Sequence, residues 1–298
     1  MAEAVAFKPV VAREGNALPI ATVCLVLLVI WYIAAIPMNA VIAQSKIDAA
    51  GGGFANILNI SLNLERPILP APHQLVREIW NTTFLVAPWQ VKSLLFHCWI
   101  TLSSTLLGFV LGVVLGVVLA IGIVHSKLLN KALMPWIIAS QTIPILAIAP
   151  MIIVVLGAIG LTGLLPKSLI SMYLCFFPVT IGMVKGLMSP DVMHRDLMRT
   201  YNASTSQVLW KLRLPASIPF LFTSLKVAIA IALTGAIVGE LPTGAQGGLG
   251  SRMLVGFNFG QTMHVWSALV AGSVLAASLV FIVERCERSV NRMMGAQP

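Results

Sequence analysis

Six segments of this chain are long, apolar and nearly free of charge, and that leaves it few ways to fold. They run from Ala17 to Ala43, Leu94 to Val124, Ala132 to Ile159, Leu165 to Met183, Ile218 to Leu241 and Val265 to Val283. A helix that crosses a bilayer needs about 20 mostly apolar residues, and in lipid only helices or closed barrels satisfy every backbone polar group. The pattern predicts an all-α polytopic membrane protein with six transmembrane helices. Composition agrees, since 58% of the 298 residues are hydrophobic and 10% are charged, against roughly 25% charged in an average soluble domain. So few charges cannot coat a globular surface, which excludes an ordinary soluble enzyme. The net charge of +9 does not indicate nucleic acid either, because too little solvated surface remains for a basic groove. The expected surroundings are a lipid bilayer, with no nucleic-acid partner.

An even number of spans puts both termini on one side, and Lys and Arg concentrate in cytoplasmic loops. With cytoplasmic termini, twelve of the nineteen basic residues fall inside: Lys8, Arg13, Lys127, Lys131, Lys185, Arg195, Arg199, Lys211, Arg213, Arg285, Arg288 and Arg292. Six fall outside (Lys46, Arg66, Arg77, Lys92, Lys167 and Arg252), and Lys226 lies within the fifth span. The first apolar segment exceeds the length of a signal-peptide core and is read as an anchor. Outside it, Ala49-Ala50-Gly51-Gly52-Gly53 reads as a flexible joint and His73 to Trp80 as a short amphipathic helix, with Trp80 and Trp89 as interfacial anchors.

Lipid gives helices no hydrophobic reason to associate, so close packing of small residues matters. Gly108, Gly112, Gly116 and Ala120 recur every fourth residue on one face of the second span and are assigned to helix packing. Pro144, Pro150 and Pro178 are expected to interrupt spans three and four, as in the broken helices of transporters. Gln141 and Thr142, just before Pro144, either line a pathway or satisfy backbone groups freed by the bend. Glu240, near the outer end of span five, reads either as a gate or bundle anchor or as a solvated helix end, with Pro242 and Gly244 directly after it. The run Gly244 to Gly250 reads as a tight re-entrant or gating loop outside the membrane.

Nothing in the sequence points to catalysis. His73, His97, His125, His194 and His264 lack zinc-binding spacing, and no Gly-Lys pair exists to build a phosphate-cradling loop. No metal site is expected. Cys24, Cys98, Cys175 and Cys286 form no close pair and read as small buried hydrophobes. A self-sufficient secondary transporter or channel would need ionisable groups inside several spans, where only Lys226 and Glu240 come close.

The loop 189–216 has more internal structure than its length suggests. Ser189 and Pro190 suit a helix start, and Asn202 tolerates the left-handed turn that would end it. Ser204 and Gln207 have capping-box spacing, and Pro215 is expected to stop the second helix. The loop reads as helix, sharp turn, short helix and proline stop, a knob that a partner protein can grip.

These residues resemble the EAA loop of bacterial ABC importer permeases. Asp196-Leu197-Met198, then Asn202, then Leu212-Arg213-Leu214-Pro215 follow the spacing of E-A-A-x-x-x-G and its later I-x-L-P. Asp keeps the charge and Asn the turn, while Leu197 and Met198 replace two alanines. From about Ile68 to Glu287 the chain is similar to the nitrate, sulfonate, taurine and thiamine-precursor branch. The matching motifs are Leu69-Pro70-Ala71-Pro72, Ile143-Pro144, Phe176-Phe177-Pro178, Leu214-Pro215-Ala216-Ser217-Ile218-Pro219, Glu240 and Gly248-Leu249-Gly250. An Arg frequent early in span two is Ser104 here.

The resemblance implies a type I ABC importer transmembrane-domain fold in a bacterial inner membrane. Its division would be a cytoplasmic tail (1–16), span one (17–43), a periplasmic segment (44–93), a permease core (94–287) and a second cytoplasmic tail (288–298). It implies a coupling loop made of Asp196, Leu197, Met198, Asn202, Ala203, Ser204, Gln207, Trp210, Leu212, Leu214 and Pro215. It further implies two ABC ATP-binding subunits holding ATP and Mg, a second permease copy (same or related) and a periplasmic solute-binding protein. This chain would then bind no cofactor and hydrolyse nothing itself.

Overall fold

The computed structural model describes residues 17–242 and 247–294, and every regular element among them is helical. The expectations for the tail with Lys8 and Arg13, for Gly244, Ala245 and Gln246, and for residues 295–298 lie outside the described residues. The chain divides into two compact units between Val76 and Arg77.

In the first unit, α1 (Ala17–Ala49) is followed by α2 (Phe54–Leu62). The first half of α1 exposes Leu18, Ile20, Val23, Leu25 and Leu28, the surface expected against lipid tails. The helix outruns its predicted end at Ala43 because Ile47 still has apolar partners: Ala43, Ile47 and Leu64 form a small core with Ile57 and Ile60 against it. Asn39 is fully buried. Its amide donates to the carbonyls of Ser61 and Leu69 at 3.0 and 2.9 Å and accepts from the N–H groups of Ile68 and Leu69. The expected glycine joint is a tight turn, with Gly51 at φ 90° and Gly52 at φ 64°.

The second unit takes in most of α3 (Pro72–Phe84), the amphipathic helix expected over 73–80. Then come α4 (Leu94–His125), α5 (Lys127–Ser140), α6 (Ile145–Ala158), α7 (Leu164–Met188), α8 (Val192–Thr200) and α9 (Thr205–Val208). A π-helical turn (Leu209–Arg213) joins α9 to α10 (Leu214–Glu240), and α11 (Leu249–Asn258) and α12 (Thr262–Met293) close the chain. Its core is centred on α7, packed between α4 and α10, with Ile123, Cys175, Val179, Met183, Ala228 and Ala232 buried together.

The small-residue ladder explains how closely these helices approach. A Cβ on Gly108 would stand 2.6 Å from the Ser168 carbonyl, and one on Gly116 would stand 2.9 Å from the Phe176 carbonyl. At Gly112 it would collide with the Cys175 sulfur, and Ala120 is fully buried on the same face. On its other side α7 meets α10 in the same way: a Cβ on Gly186 would lie 2.8 Å from Ser217 Cβ, and one on Gly235 would lie 2.8 Å from Ser171 Cα.

Among the described residues, five helices are long and apolar enough to cross a membrane, and a sixth crossing exists only if α5 and α6 are taken as one span bent by 99°. The single span expected over Ala132 to Ile159 is therefore two helices meeting at a corner. Pro144 caps the start of α6 in an extended conformation; it disfavours a helical residue before it and lacks a donor that a first turn does not use. The interruptions expected at Pro150 and Pro178 do not occur, since α6 and α7 run through them. Proline is tolerated inside a bilayer helix because neighbouring helices, side chains and local backbone adjustment re-satisfy the freed carbonyls. The tail expected from residue 288 is still helical to Met293. Of the cysteines, all free, Cys175 is buried and Cys98 half-buried, whereas Cys24 and Cys286 are exposed on outer helix faces instead of buried as expected.

Candidate functional site

At one end of the second unit, α8 and α9 form a capped hairpin between α7 and α10. The predicted start at Ser189 and Pro190 is displaced: Ser189 donates to the Gly186 carbonyl at 2.8 Å, closing α7, and Asp191 is the N-cap of α8. The turn after α8 forms at Asn202, with φ 50°, alone among described non-glycine residues in a positive φ. The N–H groups of Asn202 and Ala203 return to the carbonyls of Arg199 and Met198 at 2.8 and 2.9 Å, a Schellman closure. Ser204 and Gln207 then make both halves of a capping box, at 3.3 and 2.8 Å.

Pro215 does not stop the second helix. The chain passes through the π-helical turn, with Leu214 N–H donating to the Leu209 carbonyl, and Pro215 sits in the first turn of α10. A wider turn moves aside the carbonyl that a proline ring would strike. The second helix of the hairpin is thus continuous in backbone with α10, over Thr205–Glu240.

The hairpin's expected coupling residues divide by exposure. Leu197 and Trp210 are exposed, at 54 and 67%, beside exposed Met193 and Tyr201. Asp196 pairs with Arg199 at 3.6 Å on the surface. Met198, Leu212 and Leu214 are half-buried, and Leu214 packs against the main core.

At the opposite end of α10, Glu240 is fully buried, so it is no solvated helix end. The Thr101 hydroxyl donates to its carboxylate at 2.8 Å and accepts from Leu249 N–H at 2.9 Å. Gly250 N–H donates to Glu240 Oε2 at 2.9 Å. Lys167 is also buried and donates to the Gly247 carbonyl at 3.1 Å. Gly248 N–H donates to Nδ1 of His97 at 3.0 Å, and Nε2 of His97 bonds the Val91 carbonyl at 2.8 Å. Gly247 and Gly248 have φ of 77° and 115°, and a Cβ on Gly248 would strike the Glu240 carboxyl, so the start of α11 needs glycine there. Next to this, Arg252 reaches the Lys92 carbonyl at 3.1 Å and Glu78 at 3.4 Å. Burial pulls the Arg252 guanidinium below its ordinary pKa, with Glu78 opposing.

The structure therefore ties Glu240 and Gly247 to Gly250 into one buried hydrogen-bonded cluster, so the described end of the expected loop is clamped. Thr101, His97, Lys167 and Arg252 are functional candidates that the sequence reading passed over, as is α11 itself. The available signal was charge of opposite sign, Lys167 and Glu240, at span ends expected on the same side. Gln141 and Thr142 stand exposed at the corner between α5 and α6, with Thr142 Oγ1 donating to the Ala139 carbonyl at 2.8 Å. Lys226, inside span five, is ion-paired with Glu287 of α12. No cluster of metal-ligating side chains exists among the described residues.

Residues 112–294, which include the hairpin, Glu240 and α11, match the family described as binding-protein-dependent transport system inner membrane component. The chain is 34% identical over 225 residues to a riboflavin transport system permease protein of Chloroflexus aurantiacus, spanning 76% of this chain and 80% of the relative. It is 32% identical over 195 residues to a formylaminopyrimidine transport permease protein of Halalkalibacterium halodurans, spanning 64 and 73%. It is 30% identical over 187 residues to a probable ABC transporter permease protein of Haemophilus influenzae, spanning 63 and 71%. Relatives named for aliphatic sulfonate, nitrate and taurine transport also match, at 30, 25 and 26% identity. These matches bear out the importer reading over a self-sufficient secondary transporter or channel. With five to six apolar helices long enough to cross a membrane and a matched region of 112–294, this chain belongs to the inner-membrane permease subunits of binding-protein-dependent ABC importers.

Proposed function

We propose that this chain is half of a solute pathway closed by a second permease copy, with the α8–α9 hairpin seated on one of two ATP-binding subunits. ATP and Mg are held by those subunits, and this chain does no covalent chemistry. Both termini and the hairpin face the cytoplasm, and a periplasmic binding protein delivers the solute at the Glu240 end. The observation that carries this reading is the hairpin's build. Its turn and second helix start are fixed by the Asn202 closure and the Ser204–Gln207 box, it exposes Leu197 and Trp210, and it runs into α10 unbroken. A push on it moves α10, and the packed core between α4, α7 and α10 offers two arrangements for ligands at either end to bias.

At the other end of the same helix, Glu240 and Thr101 fasten α10 to α4 and to α11. We assign them to bundle anchoring at the outer gate. The solute is small. Similarity favours a heterocycle of the pyrimidine or thiamine-precursor type over a sulfonate, taurine or nitrate, since relatives named for formylaminopyrimidine and riboflavin match at 32 and 34%. Reconstitution with the ATP-binding and solute-binding partners tests this: ATP-dependent uptake of a labelled aminopyrimidine is expected, and uptake of taurine alone overturns the solute assignment.

A further inference from the structure

The hairpin has a second face with different chemistry. Met193 and Leu197 of α8 and Tyr201, its C-cap, follow one another at four-residue spacing and form an exposed, largely apolar stripe. Val192, Arg195, Asp196 and Arg199 occupy the other side of the helix, at spacings of three and four. This second side lines a cavity of about 560 Å³, closed by Val124 and His125 at the end of α4, by Thr205 and Val208 of α9, and by Arg213. Among the described residues Asp196 is the only acid lining it, and it pairs with Arg199.

Arg195 and Arg213 have no acidic partner within ion-pair distance among the described residues. The Nε atom of each is buried without an acceptor. Two guanidiniums facing one cavity, with buried donors unmet, are a costly arrangement unless an anion completes it. Planar guanidinium forks suit phosphate oxygens. The position of the cavity points to the source of the phosphate: it sits where α4 ends at His125 and α10 begins at Leu214, two helices apolar enough to cross a membrane, and basic pockets between the ends of such helices bind acidic lipid heads. The apolar stripe, on the far side of α8, is the surface left for a protein partner.

We propose that Arg195 and Arg213 hold the phosphodiester of an acidic phospholipid head group, which locks the hairpin to the end of α4. The site goes beyond the coupling assignment and does not depend on it. The test uses the full chain, purified in neutral detergent with whatever subunits accompany it. Its unfolding midpoint is followed on adding phosphatidylglycerol, phosphatidylcholine or inorganic phosphate. Phosphatidylglycerol is expected to raise the midpoint by roughly 3–6 °C more than phosphatidylcholine. The double variant Arg195→Gln/Arg213→Gln should lose this shift, and Arg292→Gln, at the end of α12, should keep it. If the glutamine pair does not fold, Arg195→Lys/Arg213→Lys carries the comparison; it keeps the charge, loses the fork and should give a clearly smaller shift. An unchanged shift in the lysine pair or the glutamine pair overturns the site. A full shift from inorganic phosphate alone replaces the lipid with a solution anion. Loss of the accompanying subunits with the lipid response intact would assign the arginines to an acidic side chain of a protein partner.

Discussion

Thr101 on α4 and Glu240 at the end of α10, 139 residues apart in sequence, share a hydroxyl–carboxylate hydrogen bond of 2.8 Å in a fully buried setting. The same hydroxyl accepts from the first N–H of α11, so one oxygen ties three helices together. Thr101→Val keeps the shape and removes both the hydrogen bond to the Glu240 carboxylate and the one from Leu249 N–H. The expected loss is about 1–3 kcal/mol, read as a drop of several degrees in the unfolding midpoint. A midpoint unchanged from wild type contradicts the clamp.

The glycine ladder makes a contrast between positions. Gly116→Val drives a branched side chain into the Phe176 carbonyl and Val179 and should destabilise by at least about 1–3 kcal/mol, the usual range for overpacking. Gly157→Ala in α6 meets nothing within 4 Å and should be neutral or stabilising by up to about 1 kcal/mol. Equal effects at the two sites would show that close α4–α7 approach is not what the ladder provides.

Asn202 carries the hairpin's turn. Asn202→Gly should leave local protection from hydrogen exchange near wild type, because glycine takes a φ of 50° without strain. Asn202→Val should open the turn and cost about 1–2 kcal/mol. A valine variant with wild-type exchange across 199–207 would contradict this.

Lys226 and Glu287 join α10 to α12 with the lysine about one third exposed, at 34%. Solvent screening weakens the pair, yet removing one partner strands the other charge in an apolar helix interface. Lys226→Met alone should therefore destabilise more than Lys226→Met with Glu287→Met. A double variant worse than either single variant would contradict the pairing.

Much of this architecture was legible in the chain, and the exceptions have physical causes. Apolar length located the five helices long enough to cross but not the 99° corner within the third expected span, and four-residue spacing located the α4 face that meets α7. The Ser204–Gln207 box and the Asn202 turn were readable because capping is local chemistry. Proline marks fewer breaks than its sequence positions suggest: Pro150 and Pro178 sit inside apolar helices whose neighbours re-satisfy the freed backbone groups, and Pro215 sits in the first turn of α10 behind the π-helical turn. Lys167, Thr101 and His97 could not be grouped from sequence, because what joins them is the start of α11, brought back by glycines with positive φ. α2 and α11 were missed because helices of 9 and 10 residues leave little periodic signal.

The hairpin is proposed to transmit ATP hydrolysis in a partner subunit to α10. The direct measurement is ATP-dependent solute uptake by the reconstituted importer carrying Leu197→Asp and Trp210→Ala, both exposed positions. With the permease's unfolding midpoint unchanged, uptake should fall at least about tenfold, as when anchor residues of an interface are truncated, and the ATP-binding subunit should no longer co-purify. Full uptake with the ATP-binding subunit still bound would rule out the α8–α9 hairpin as the coupling element.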